Sequence, residues 1–326
     1  MRRITPSTML SLTYQPAFDH PRRLPNPTQT RGHRPGLSPL GGFAFGGTFV
    51  AAGTLVVLIG LRVIEPGGRV NVPYEVLTAI GALFASAGVF IWIKTWRERQ
   101  AERRHHAMLL RHPDEPALAD HAWDPAGARS HLRQQAVRAT VIAVFFILFL
   151  TPFNYIVFKK DPPWLMQGIV GLFDLVTLYL LWDMVVRWGR AFKFGQAVLC
   201  FDRFPYRTNE PVKLTWVAPS GCSGAATGRF TLRAIVEWHE TTGRGKSRNT
   251  RLVHEQQWSG AWVLESPTLI TPGMNYELAF TLLPEAQGTA LRAERPRFWE
   301  LEVTLSLPGL DFTDTYLVPI YSPHRG

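Results

Sequence analysis

Four stretches of the chain are apolar over about twenty residues each, and they limit the possible folds more than any other feature. They are "GGFAFGGTFVAAGTLVVLIGLRV" (41–63), "VLTAIGALFASAGVFIWI" (76–93), "ATVIAVFFILFLTPFNYIVF" (139–158) and "WLMQGIVGLFDLVTLYLLWDMVV" (164–186). A helix needs about 20 residues at about 1.5 Å each to cross roughly 30 Å of hydrocarbon, so each stretch has the length of a span. A soluble core imitates one such run, but not four with charged flanks. An α-helical membrane bundle of four transmembrane helices is therefore expected over residues 41–194, with a loop at 94–138.

The basic residues predict its orientation. Ahead of the first span lie Arg2, Arg3, Arg22, Arg23, Arg31 and Arg34; between spans two and three lie Lys94, Arg97, Arg99, Arg103, Arg104, Arg111, Arg129, Arg133 and Arg138; after span four come Arg187, Arg190 and Lys193. The two opposite turns carry only Arg62 and Arg69, and Lys159 and Lys160. Eighteen against four places the amino terminus, the central loop and everything after span four in the cytoplasm. The net charge of +10 belongs to this first part, because residues 195–326 carry thirteen basic and thirteen acidic side chains. The basicity thus reflects orientation and an anionic inner leaflet, and gives no argument for nucleic acid. Residues 1–40, rich in Pro and Arg, read as a disordered cytoplasmic tail, with span one as an uncleaved anchor. Cys200 and Cys222 fall on the reducing side, where no disulfide is expected. Arginine outnumbers lysine 29 to 6, which suits a GC-rich bacterial genome and hence a bacterial inner membrane.

Within the spans, Gly42 with Gly46, Gly81 with Ala85, and Ala82 with Ser86 have the small-xxx-small spacing that lets helices approach closely in lipid. Packing within the bundle and a dimer seam both fit. Asp174 lies near the middle of span four, where an ionised carboxylate costs several kcal/mol unless paired or protonated. Gly171, Thr177 and Leu178 share its face, which is expected to turn inward; Thr151 and Asn154 on span three are candidate partners, with Pro152 freeing a nearby carbonyl. Either a proton or cation relay or a helix-holding aspartate follows. Asp183 and Arg187 have the spacing of an i,i+4 ion pair.

After Gly195 the period changes to two. "RFTLRAIVEW", "NYELAFTL" and "FWELEVTLSL" alternate apolar and polar residues, and "PVKLTWV", "TDTYLVPIY", "AVLCF" and the stretch 251–264 add shorter runs. About seven strands separated by Pro, Gly and Asn turns predict an all-β domain, an antiparallel immunoglobulin-like β-sandwich over 195–326.

The ending "RFWELEVTLSLPGLDFTDTYLVPIY", with "FTLLPEAQGT" upstream, resembles the last hairpin of arrestin-like sandwiches. "HPDEPALADHAW" resembles a loop before the third span in uncharacterised bacterial multi-pass membrane proteins, of pattern HP-x-x-PWLWR-x-DW. His112, Pro113, Pro116, Leu118 and Trp123 match, while Ala117 and Ala119 stand where that pattern has tryptophans. The resemblance covers most of residues 41–321 and implies an arrestin-like fold; it brings no assigned chemistry.

No P-loop, HExxH, GxSxG or dinucleotide fingerprint occurs. "SGCSG" (220–224) lacks nucleophile-elbow spacing and reads as a turn. "GRGKSRNTR" (243–251) brings Arg244, Lys246, Arg248 and Arg251 into a hairpin loop, which suits either anionic lipid or an acidic partner, or a solvated tip. His239 and His254 flank it as strand histidines of structural type. His105, His106, His112, His121 and His131 lack the ligand pair three or four apart that a structural zinc site uses; His121 with Asp124 or Asp120, and His112, are weak candidates at most. Residues 111–131 read as a junction, with Trp123 and Leu118 resting on the membrane interface or on the sandwich.

The expectation is an integral inner-membrane protein without enzymatic activity or cofactor, displaying a cytoplasmic interaction module to a protein partner and able to self-associate. The alternative is a small transporter or channel subunit with Asp174 in its path.

Overall fold

Ser38 opens the first helix. Its side chain accepts from the Gly41 amide at 3.1 Å, and Pro39 supplies a pre-set first turn. The structure, a computed structural model, describes residues 12–15, 21–25, 30–32, 38–65, 67, 72–112, 119–160, 163–243 and 248–323. Its helices are α1 (Pro39–Gly60), α2 (Tyr74–Arg111), α3 (Leu132–Lys160) and α4 (Trp164–Phe194). Contacts divide the chain into a helical unit of residues 35–107 and 135–187, and a sheet unit of residues 1–34, 108–134 and 188–326.

In the helical unit α1 and α2 meet through glycines. Gly42, Gly46, Gly53 and Gly60 of α1 and Gly81 and Gly88 of α2 are buried, mostly seven residues apart. A Cβ on Gly53 would lie 2.4 Å from the Ala85 amide nitrogen, and one on Gly88 would lie 2.6 Å from the Gly46 carbonyl oxygen. Only glycine allows backbones that close, and close packing drives association where lipid removes the hydrophobic effect. The Trp92 indole crosses the seam to the Phe43 carbonyl at 2.8 Å. Gly42, Gly46, Gly81 and Ala85 thus serve packing within the chain, whereas Ala82 and Ser86 are exposed and lie off the seam.

All four helices are long and apolar enough to cross a membrane, with mean hydropathy of 2.0, 2.2, 2.4 and 1.9 in order. Large apolar side chains stay exposed on them, among them Phe90, Leu148, Leu172, Leu175 and Tyr179. The expected loop 94–138 is largely helical: α2 continues through "KTWRERQAERRHHAMLLR" to Arg111, a run of strong helix formers with a Lys94–Glu98 pair at 3.9 Å.

The sheet unit contains β1 (Leu12–Gln15), β2 (Arg22–Arg23), β3 (Gly127–Arg129), β4 (Val198–Phe201), β5 (Tyr206–Arg207), β6 (Val212–Val217), β7 (Gly224–Thr242), β8 (Asn249–Ile270), β9 (Asn275–Phe280), β10 (Arg297–Ser306), β11 (Phe312–Val318) and β12 (Ile320–Tyr321). One antiparallel sheet has the order β1-β8-β7-β10-β11 with β2 also on β8; a second has the order β3-β4-β6-β9; β12 and β5 form a short parallel pair. The two larger sheets share a core in which Trp216 of β6 meets Phe230 of β7, Tyr276 of β9 and Phe312 of β11 at ring distances of 5.4 to 5.6 Å. Leu132 and Phe194, at helix termini, are buried in the same core.

Two sequence expectations are corrected here. The segment 1–40 is not wholly a disordered tail: Leu12–Gln15 pairs with Leu264–Ala261 and Arg22–Arg23 with Gln256–Glu255. These strands take their order from β8, and runs so short leave no periodic trace. The connection 111–131 is more than a surface junction, because Gly127–Arg129 adds an edge strand to β4.

Candidate functional site

The polar face of β7 carries one side chain that sequence alternation leaves in solvent and the fold encloses. Glu237 is 0 % exposed. A buried carboxylate is tolerated only with full hydrogen bonding, and here four donors supply it. Thr30 Oγ1 donates at 2.6 Å, the Arg31 amide at 2.8 Å and the Gly32 amide at 3.3 Å, while the His254 Nε2 lies at 2.9 Å.

Local structure explains the arrangement. His254 stands directly across from Glu237 in the β7–β8 ladder. A bulge in β8, where Ala234 faces Trp258 but Ile235 faces Gln256, shifts the side-chain parity of β8 and turns His254 to this face. The Phe298 ring holds the imidazole edge-on at 5.6 Å, and the His254 carbonyl accepts from the Leu24 amide at 2.9 Å. Gly32 is required: a Cβ there would lie 2.3 Å from the Pro296 ring. Arg31 donates to Thr315 Oγ1 at 2.9 Å, and Arg23 pairs with Glu240 at 3.2 Å. An apolar cluster of Ile235, Leu291, Phe298 and Leu317 lies beside the pair, with Leu24 and Trp123 packed on it.

Burial alone would push the Glu237 carboxyl up, but the bonds from His254, Thr30 and the Arg31 amide outweigh it and bring it down to about 2. A folded pKa below the unfolded value stabilises the fold above the unfolded pKa. That contribution is complete above about pH 5 and is lost as pH falls through 4.5 toward 2. Melting temperatures across this window should fall less steeply in Glu237→Gln than in the wild type; parallel profiles would contradict the assignment.

The other candidates separate as follows. Asp174 on α4 is half-buried and accepts from Asn154 Nδ2 of α3 at 2.9 Å. Thr151 instead bonds its own helix at the Ile147 carbonyl, and Thr177, though buried, bonds the Phe173 carbonyl. Gly171 and Leu178 are exposed, so the inward face runs through Val170, Asp174 and Thr177 at the i, i+4, i+7 spacing. Asp183 and Arg187 pair at 2.7 Å, with Arg187 reaching Gln135 at 3.4 Å.

In the hairpin, Arg244 and Lys246 lie outside the described residues. Arg248 is exposed, and Arg251 is bound to Glu240 at 2.6 Å, so its charge is neutralised locally. Trp123 is resolved in favour of the sheets: its Nε1 donates to the Tyr321 hydroxyl at 3.1 Å and its ring meets His121 at 4.8 Å. Leu118 lies outside the described residues. Asp124 caps its own turn by accepting from the Ala126 amide at 3.0 Å, and His112 is exposed just past α2. Among the described residues no three His, Cys, Asp or Glu side chains converge as a metal site.

"SGCSG" is a turn, with the Cys222 amide on the Pro219 carbonyl at 3.0 Å. Burial pushes the Cys222 thiol up to about 12, which leaves it protonated and unreactive at neutral pH. Tyr276 is likewise raised to about 12 by burial, and burial raises the Asp314 carboxyl on the inner face of β11.

The sequence matches no protein-family model and no curated protein. Among solved structures it is similar to Spo0M, a sporulation control protein from Bacillus subtilis, at 12 % identity and a TM-score of 0.26. The match covers 39 % of this chain and 49 % of that one, so this chain spans about half the length of the structure it resembles.

Proposed function

We propose that this chain is a multi-pass protein of a bacterial inner membrane, of the uncharacterised class with an arrestin-like β-sandwich, and that it holds the sandwich as a non-enzymatic binding module at the cytoplasmic face. The carrying observation is the set of four helices of spanning length whose large apolar side chains remain exposed, a surface that lipid satisfies and water does not. The eighteen-to-four bias of basic residues supports the orientation.

The basic stretch from Lys94 to Arg111 suits the anionic inner leaflet, each cation near it contributing about 1 kcal/mol. For a protein partner the sheets offer their outer strands β1, β11, β3 and β9, and strand addition is the corresponding mode. Self-association is compatible with the exposed helix faces. Neither nucleic acid nor a cofactor enters this reading. Asp174 is engaged with Asn154 on the neighbouring helix, which supports a helix-linking role over a path for ions.

A phosphatase that is active only outside the cytoplasm tests the orientation. Fused after Arg325 it should be silent, and fused in the turn at Gly67 it should be active. Activity at Arg325 would reverse the topology.

A further inference from the structure

Residues 12–15 and 21–25 cover the free side of β8, residues 30–32 close over Glu237, and the character of their contacts shows what kind of molecule the surface beneath accepts. On the covering side stand donors: the Thr30 hydroxyl, the amides of Leu24, Arg31 and Gly32, and the guanidinium groups of Arg23 and Arg31. On the sheet side stand acceptors: the Glu237 and Glu240 carboxylates, the Thr315 hydroxyl and the His254 carbonyl. The amides of two successive residues, Arg31 and Gly32, converge on the one carboxylate, as a bent backbone and not an extended one allows, and only a residue without Cβ clears Pro296.

The sheet side is self-sufficient. With the covering segment gone, Glu237 still has His254 at 2.9 Å and Glu240 still has Arg251 at 2.6 Å, so the acceptors stay in place and become available. The cover is held locally by short elements. β1 pairs over Leu12–Gln15 and β2 over Arg22–Arg23, while the β7–β8 ladder beneath runs from Gly224 and Ile270 to Thr242 and Asn249. Short edge elements with solvent-exposed ion pairs open at lower free energy than the long ladder below them.

We infer that the face of β7 and β8 centred on Glu237 is a receiving site for a peptide that carries arginine and a hydroxyl-Arg-Gly step, and that the chain's own residues 22–25 and 30–32 occupy it in cis and exclude competitors. This rests on the binding-module reading and names where on the module the partner lies. A segment of another protein with this chemistry gains the Glu237 bonds by displacing Thr30–Gly32. Its side chain at the glycine position is restricted by Pro296, and its arginines are read by Glu240 and Thr315.

The test uses the chain in detergent micelles and a fluorescein-labelled peptide of residues 21–32 as probe, followed by anisotropy. A chain lacking residues 1–34 should bind the probe at least tenfold tighter than the intact chain. A Gly32→Val probe should lose at least tenfold on the shortened chain, and Glu237→Ala in that chain should abolish binding. Equal binding by intact and shortened chains, or indifference to Gly32→Val, overturns the inference. If the shortened chain does not fold, intact Thr30→Glu takes its place, since the new carboxylate faces Glu237 and ejects the cover. No gain in probe binding by that variant also overturns it. Because the probe reads the sheet unit alone, failure here leaves the phosphatase result, and so the membrane reading, unaffected.

Discussion

Trp216→Ala should leave the sheet unit unfolded or nearly so at 37 °C while the helices persist. The indole is fully buried at the centre of the shared core, ringed by Phe230, Tyr276 and Phe312 at 5.4 to 5.6 Å. Phe230 and Phe312 belong to the opposite sheet, so the truncation empties the contact between sheets. Removing a buried tryptophan costs about 3–5 kcal/mol, and a domain's whole stability is about 5–15 kcal/mol. Part of that cost is the three ring contacts, each of about 0.5–1.5 kcal/mol. Near-ultraviolet circular dichroism during urea titration in micelles reads the effect against Trp182→Ala, whose ring is 68 % exposed on α4. A midpoint for Trp216→Ala equal to that of Trp182→Ala would show the shared core to be misassigned.

Gly53→Leu should separate α1 from α2. Its Cβ alone would stand 2.4 Å from the Ala85 amide nitrogen and 2.6 Å from the Gly81 carbonyl oxygen, both main-chain atoms that yield only if a helix moves. Overpacking costs about 1–3 kcal/mol where side chains can shift, and a clash with backbone belongs at or above the top of that range. Gly47→Ala is the matched control, since its Cβ would meet only the Trp92 ring at an ordinary 3.7 Å. Cysteines introduced at Phe49 and Phe84, whose rings stack at 5.8 Å between α1 and α2, report the distance by crosslinking. Undiminished crosslinking in Gly53→Leu would mean that the glycines do not set the approach.

The helices were legible in the sequence because length and apolarity suffice to mark them, and the Asp183–Arg187 pair because it is local. Strand alternation in β7, β9 and β10 was legible for the same reason: period two is a property of a few neighbouring residues. The Glu237 site was not. Its carboxylate has the right phase for an outward residue, and its burial comes from Thr30–Gly32, about two hundred residues away. The parity of His254 depends on a bulge at Gln257, which alternation cannot locate. One sign was available: "HEQQWSG" interrupts the apolar period of β8 with two glutamines, as a residue inserted into a ladder would. Thr151 misled because a hydroxyl in an apolar helix is satisfied by its own carbonyl four residues back.

The pairing of Leu12 with Leu264 also sets an order of events during synthesis. The strand Leu12–Gln15 finds its partner about 250 residues later, after all four apolar helices have been made. At about 5–20 residues per second, this is a wait of about 12–50 s. Through that interval the leading segment has no sheet to join, and β8 emerges with its edge open. The earlier segment therefore cannot pair until β8 has been made, with β9 to β12 still to follow. Any free molecule of matching chemistry must compete for that edge with a segment already made and tethered to the same chain.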